Sequence, residues 1–122
     1  MGIDSIGLEA LLYSQRFVTR KDSVLTLGRQ QIYSHTHTLN TVFNKYTVPQ
    51  CINKYKYNDY SEFLFRDIGY SAVDSIDNYA YEWAMILKNM NLPHPPSTKR
   101  YDFIFDGGTM EHIFNTPKSL KI

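Results

Sequence analysis

The sequence predicts an α/β fold built on a parallel sheet of about four strands with flanking helices. Three observations predict it. The short β-rich runs Val24-Leu25-Thr26-Leu27, Ser71-Ala72-Val73-Asp74-Ser75-Ile76-Asp77 and Tyr101-Asp102-Phe103-Ile104-Phe105 each close on a glycine or an acid, as buried parallel strands do. Helical spacing separates the first run from the second. The chain has 122 residues, 43% hydrophobic and 20% charged, which suits one compact domain and not a disordered segment.

Taken in order, residues 4–17 place Ile6, Leu8, Leu11, Leu12 and Tyr13 near helical spacing, with Asp4 or Ser5 to cap the start. An N-terminal helix therefore occupies most of residues 1–20. The first strand, 24–27, ends at Gly28, and residues 29–34 read as a polar loop. A helix over 36–46 carries Leu39, Val42 and Phe43 on one face, and Pro49 bars its continuation. A Tyr/Lys/Asn-rich loop insertion fills 47–60. Asp59 or Ser61 opens a short helix carrying Phe63, Leu64 and Phe65, and Gly69 suits its left-handed C-terminal cap. The second strand covers 71–77. Residues 84–87 fit a strand or a helical turn, and the short run before Asn91-Leu92-Pro93 decides for a strand. Pro93, Pro95 and Pro96 make an extended connection to the fourth strand, 101–105, after which Thr109 caps a last short helix.

Composition excludes several classes. Net charge is +1, so no global field favours nucleic acid or an anionic membrane. The basic cluster Arg16, Arg20 and Lys21 reads as a solvated helix end. Tyr55, Tyr57 and Tyr60 interleave with Lys54 and Lys56, a pattern that can bind single strands, but no nucleic-acid motif accompanies it and a surface insertion explains it. Cys51 is the single cysteine, which leaves no intrachain disulfide and suits a reducing cytoplasm. His35 and His37 lack the partners of a metal site. No signal peptide is expected at the N-terminus, and no apolar run approaches the roughly 20 residues that span a bilayer.

In an open parallel sheet, ligands bind beyond the carboxyl ends of the strands, where the strand order reverses. The residues there are Gly28-Arg29-Gln30, Asp77-Asn78, Asn89 and Asp106-Gly107-Gly108. Asp77 can accept hydrogen bonds from both hydroxyls of a ribose. The G-x-G-x-x-G dinucleotide fingerprint is absent after the first strand. Asp77 stands 49 positions beyond Gly28, against about 20 in that fingerprint. A ligand with a ribose and no phosphate fits better than a nicotinamide dinucleotide, and S-adenosylmethionine is one.

Three stretches carry a family resemblance: Val24-Leu25-Thr26-Leu27-Gly28-Arg29-Gln30, Val73-Asp74-Ser75-Ile76-Asp77, and above all the run from Tyr101 to Asn115 that contains Asp106-Gly107-Gly108-Thr109-Met110-Glu111-His112. Together they resemble a group of bacterial class I S-adenosylmethionine-dependent methyltransferase-like proteins with a Gly-Arg-Gln turn, an acidic second strand and an Asp-Gly-Gly-Thr-Leu-Glu-His block. The resemblance spans roughly residues 20–120. It implies a Rossmann-like sheet in the order 3-2-1-4, stopping before strands five to seven, so that residues 1–122 form one partial domain. It implies S-adenosylmethionine as cofactor, with Gly28 at its methionine end, Asp77 on the ribose and Asn89 near the adenine. Arg29, Gln30, Asn78, Asp106, Gly107 and Gly108 complete the expected cofactor site. The wider superfamily has glycines where Arg29 and Gln30 stand.

If the methyl acceptor must lose a proton, the candidate bases are Asp106, Glu111 and His112. The acceptor itself is not legible, because this fold selects it through later strands. A fourth strand without a fifth neighbour is also an apolar edge, so the expectation is self-association through 101–105, poor solubility, or a sequence that is part of a larger protein. The competing expectation is a non-catalytic remnant or interaction module that keeps the fold without the activity.

Overall fold

The computed structural model describes residues 2–46, 57–77, 86–89, 92 and 99–108. In chain order the elements are β1 (Gly2–Ile3), α1 (Ser5–Ser14) continued by a 3-10 turn (Gln15–Phe17), β2 (Ser23–Leu27), β3 (Gln31–Ile32), α2 (Thr36–Lys45), α3 (Glu62–Ile68), β4 (Ala72–Asp77), β5 (Ile86–Leu87) and β6 (Phe103–Asp106). Four strands form one sheet in the order β5-β4-β2-β6, with every pairing parallel. In terms of the four expected strands this order is 3-2-1-4, a Rossmann-like arrangement.

β2 is the central strand. Val24 pairs with Val73 on one side and Phe103 on the other, and Leu27 pairs with Ile76 and Asp106. Its backbone is paired on both sides and both its faces are packed, so Val24, Leu25, Thr26 and Leu27 are all buried. That is why this segment reads as a continuous apolar run and not as an alternation. The alternation is present in space. Val24, Val73, Phe103 and Phe105 belong with the main core, while Leu25, Leu27 and Ile76 form a second cluster on the other face with Ile86 and Tyr101.

The helices supply the rest of the main core. Asp4 caps α1, its carboxylate accepting from the Gly7 amide at 2.7 Å. Leu8, Leu11 and Leu12 are the buried positions of α1, while Ile6 and Tyr13 face solvent. The buried stripe is therefore narrower than the sequence spacing implies, because Leu8, Leu11 and Leu12 alone cover one face. α2 contributes Leu39, Val42 and Phe43 at the same spacing and packs against α1. α3 contributes Leu64 and Phe65 and ends at Gly69, whose φ of 127° is a conformation that side chains disfavour. Each fully buried side chain of this size contributes about 1.5–3 kcal/mol.

Aromatic contacts tie β6 to this core. Phe105 meets Phe65 edge-on at 5.7 Å, and Phe103 stacks on Tyr70 at 6.1 Å. Tyr70 is 1% exposed, and its hydroxyl donates to Gln15 Oε1 at 2.6 Å. Burial pushes its pKa up to about 12, so it stays a neutral donor at physiological pH.

The structure differs from the sequence expectation in three places. Gly2 and Ile3, in the stretch 1–20 read as the N-terminal helix, form β1, because Ile3 is buried in the core ahead of the Asp4 cap. The stretch 29–34 is not simply a polar loop: Gln31 and Ile32 form β3, which pairs in parallel with β1. Ile32 is fully buried, so one apolar side chain anchors an otherwise polar segment. Of the expected 47–60 insertion, residues 57–60 are stitched to β3. Ile32 N donates to Asp59 O and Asn58 N to Ile32 O, both at 2.7 Å, and Tyr60 bridges Gln31. Residues 47–56, the prolines at 93, 95 and 96, and the helix expected from Thr109 lie outside the described residues.

α3 allows a direct check of the core. Phe65→Ala should cost about 3–5 kcal/mol in urea unfolding, whereas Phe63→Ala, two positions away at 59% exposure, should stay within about 0.5 kcal/mol.

Candidate functional site

The strand order reverses between β2 and β6. From β2 the chain crosses to β4 on one side, and it later returns to β6 on the other. Register sets what meets there. Leu27 is level with both Ile76 and Asp106, so one residue further along, Gly28 stands level with Asp77 and Gly107. Asp77 in turn pairs with Leu87, two residues before Asn89. Four strand tips thus bring Gly28, Asp77, Asn89 and Asp106-Gly107-Gly108 to one end of the sheet.

These groups differ in exposure. Asp106 and Asn89 are exposed, Asp77, Gly107 and Gly108 are half-buried, and Gly28 is buried. Gly28 adopts a φ of 74°, and its amide donates to Ile76 O at 2.7 Å, prolonging the β2–β4 ladder. Glycine suits this turn because a side chain would strain it. Gly28 is therefore the buried turn at the middle of the strand tips, with half-buried Asp77 on one side and exposed Asp106 on the other. Asp106 Oδ1 accepts from the Gly108 amide at 3.0 Å, which folds the β6 turn back upon itself.

Arg29 and Gln30 do different work. Arg29 Nε pairs with Glu62 Oε1 at 2.6 Å, and its guanidinium lies 3.6 Å from the centre of the Tyr60 ring. That arrangement clamps the β2 turn to the start of α3. Gln30 is 1% exposed. Its Nε2 donates to Leu27 O at 2.8 Å and Gly28 O at 3.2 Å, and its backbone carbonyl accepts from Ser61 N at 3.0 Å. Its Oε1 is buried without a hydrogen-bond partner. Asn78, Glu111 and His112 lie outside the described residues.

A second polar cluster lies on the sheet face away from α3, and the sequence reading passed over it. Asp74, 8% exposed in the middle of β4, forms an ion pair with Lys99 and accepts from Tyr101 Oη at 2.7 Å. The only sequence signal was an acid inside an apolar strand, which must find partners when buried. Tyr101, two residues ahead of β6, reaches Asp74 past β2. Asp102 then fixes the start of β6, its Oδ2 accepting from Asp22 N at 2.9 Å and Ser23 N at 3.0 Å.

The basic cluster is also accounted for. Arg16 lies over the Tyr13 ring at 5.0 Å, Arg20 pairs with Asp22, and Lys21 Nζ donates to Ile68 O at 3.4 Å. His35 stacks on Tyr57 at 5.1 Å. Among the described residues, no three His, Cys, Asp or Glu side chains group as metal ligands, and no helix is long and apolar enough to cross a membrane. Comparison with protein-family models, with curated proteins and with solved structures gave no match.

Asp74 has a definite pH signature. Burial raises its pKa, but the hydrogen bonds from Lys99 and Tyr101 and the charge of Lys99 together outweigh that and hold it below its ordinary value of 3.8. A lowered folded-state pKa stabilises the fold above 3.8, and this stability is lost as pH falls through the folded value. Urea midpoints measured from pH 7 to pH 2 should therefore fall more steeply at the acid end for the native chain than for Asp74→Asn.

Proposed function

We propose that the cleft at the β2–β6 switch point binds S-adenosylmethionine and that the chain is a methyltransferase-like cofactor-binding domain. The observation that carries this reading is the level arrangement of Asp77, Gly28 and Asp106-Gly107-Gly108 across three parallel strand tips. The chemistry of the donor set fits such a group. Two carboxylates, Asp77 and Asp106, stand at the strand tips beside Lys88, whose backbone amide donates to Asp77 O at 2.8 Å, and the guanidinium of Arg29 is engaged by Glu62 and Tyr60. Carboxylates at these tips suit ribose hydroxyls, and the engaged Arg29 leaves the β2 turn without a ready phosphate clamp.

When bound, the cofactor supplies a methyl group on a positively charged sulfur. The chain's own residues do the rest. Asp77 accepts from the ribose hydroxyls, Asn89 hydrogen-bonds the adenine edge, and the turn at Gly28 floors the methionine end. Asp106, with Glu111 and His112 in the same block, is the candidate acceptor of a proton from the methylated substrate. Holding the reactants in place supplies much of such a rate, since effective molarity contributes roughly 7–11 kcal/mol. A reducing cytoplasm, which the single Cys51 suits, belongs to the same proposal.

The second reading is a non-catalytic interaction module. Its support is Ile104, 51% exposed on β6, the last strand of the described sheet. Such an apolar edge invites pairing with another chain.

Titration calorimetry separates the two. S-adenosylhomocysteine should bind with saturable heat, and Asp77→Ala should weaken it about 100-fold, the worth of two hydrogen bonds to a charged group at about 1.5 kcal/mol each. NAD should give no heat. No heat from S-adenosylhomocysteine at millimolar concentration would leave the interaction module as the better reading.

A further inference from the structure

We infer that Gln30 is a positioning residue of the cleft: it bolts the tip of β2 to the turn after β6, and it is the reason residue 107 must be glycine. The structural half stands on contacts alone. The half that concerns ligand binding rests on the reading of the cleft given above.

The last carbonyls of a parallel strand lose their ladder donors, and a buried carbonyl left unpaired is costly. At the tip of β2 the Gln30 amide supplies the donors, to Leu27 O at 2.8 Å and Gly28 O at 3.2 Å. Carbonyl oxygens only accept, so the amide must present its NH2 to them and turn Oε1 the other way. The other way is Gly107. A Cβ on Gly107 would stand 2.2 Å from Gln30 Oε1 and 2.9 Å from its Cδ.

A long side chain usually swings away from such an intruder. Gln30 cannot do so cheaply, because it is 1% exposed and moving it breaks both hydrogen bonds inside a buried site. Its Oε1 has no hydrogen-bond donor, so the side chain is held by its amide nitrogen and by packing against the β6 turn. The Gln30 backbone also accepts from Ser61 N at the start of α3. One residue thus joins the central strand, the turn on its far side and the helix behind it. The Gly-Arg-Gln and Asp-Gly-Gly blocks, 77 positions apart between residues 30 and 107, act as one mechanical unit. The distance between the two walls of the cleft is set by Gln30.

The test uses the full chain and four variants. Gly107→Ala should lower Tm by on the order of 5 °C or more, and by less than half that amount when introduced into Gln30→Ala. Equal falls in both backgrounds would overturn the bolt, and this comparison needs no ligand. Gln30→Met keeps the length of the side chain and loses its hydrogen bonds. At a temperature where circular dichroism shows it fully folded, it should bind S-adenosylhomocysteine about tenfold more weakly. The amide resonances of Gly28 and Gly107 should move together, while those of Leu8 and Leu11 stay in place. Unchanged affinity, or unmoved Gly28 and Gly107 resonances, would overturn the positioning role. If the native chain takes up no S-adenosylhomocysteine, the reading of the cleft fails separately, and the thermal comparison and the resonances still decide the bolt.

Discussion

Everything in this molecule depends on keeping β2 buried between two parallel partners. A strand with neighbours on both sides has its backbone paired; with the helical core packed on one face and the Leu25, Leu27 and Ile76 cluster on the other, Val24, Leu25, Thr26 and Leu27 are all buried. Parallel partners cannot be reached by a hairpin. The chain must leave the sheet and return each time, and the long crossover from β2 to β4 carries α2 and α3 with it. One constraint therefore produces the layering, the burial of the helices and the position of the cleft.

The same constraint explains where chemistry can sit. Parallel strands end together, so their tips collect whatever follows them, and the reversal of order between β2 and β6 opens the space. The tip residues divide into those that build and those that face outward. Gly28 and Gln30 are buried and shape the turn, Arg29 clamps it to α3, Asp77 is half-buried, and Asn89 and Asp106 are exposed. A motif read as a row of ligand contacts is thus partly the scaffold that holds the contacts. On the opposite face, Asp74 with Lys99 and Tyr101 ties the approach to β6 to the middle of β4.

Much of this was legible in the sequence, because burial on both faces leaves a strong trace. The four strands and the three described helices follow from apolar runs, helical spacing and the cap residues Asp4 and Gly69, and the order of the strands from the family resemblance. What was not legible depends on partners far away in the chain. β3 escaped because two residues in a polar stretch carry no periodicity, and only the burial of Ile32 against the core defines them. The partners of Asp74 escaped because an acid in a strand gives no clue to which cation will reach it. The role of Gln30 escaped because a glutamine in a turn looks the same whether it faces a ligand or its own backbone.

The account stands on the strand tips forming one nucleoside cleft, and amide mapping by NMR addresses that most directly. On addition of S-adenosylhomocysteine, the largest shifts should fall on Gly28, Asp77, Asn89 and Gly108, with the β1–β3 region undisturbed. Shifts confined to Tyr33, His35 and Tyr57, or an unchanged spectrum at saturating ligand, would contradict it.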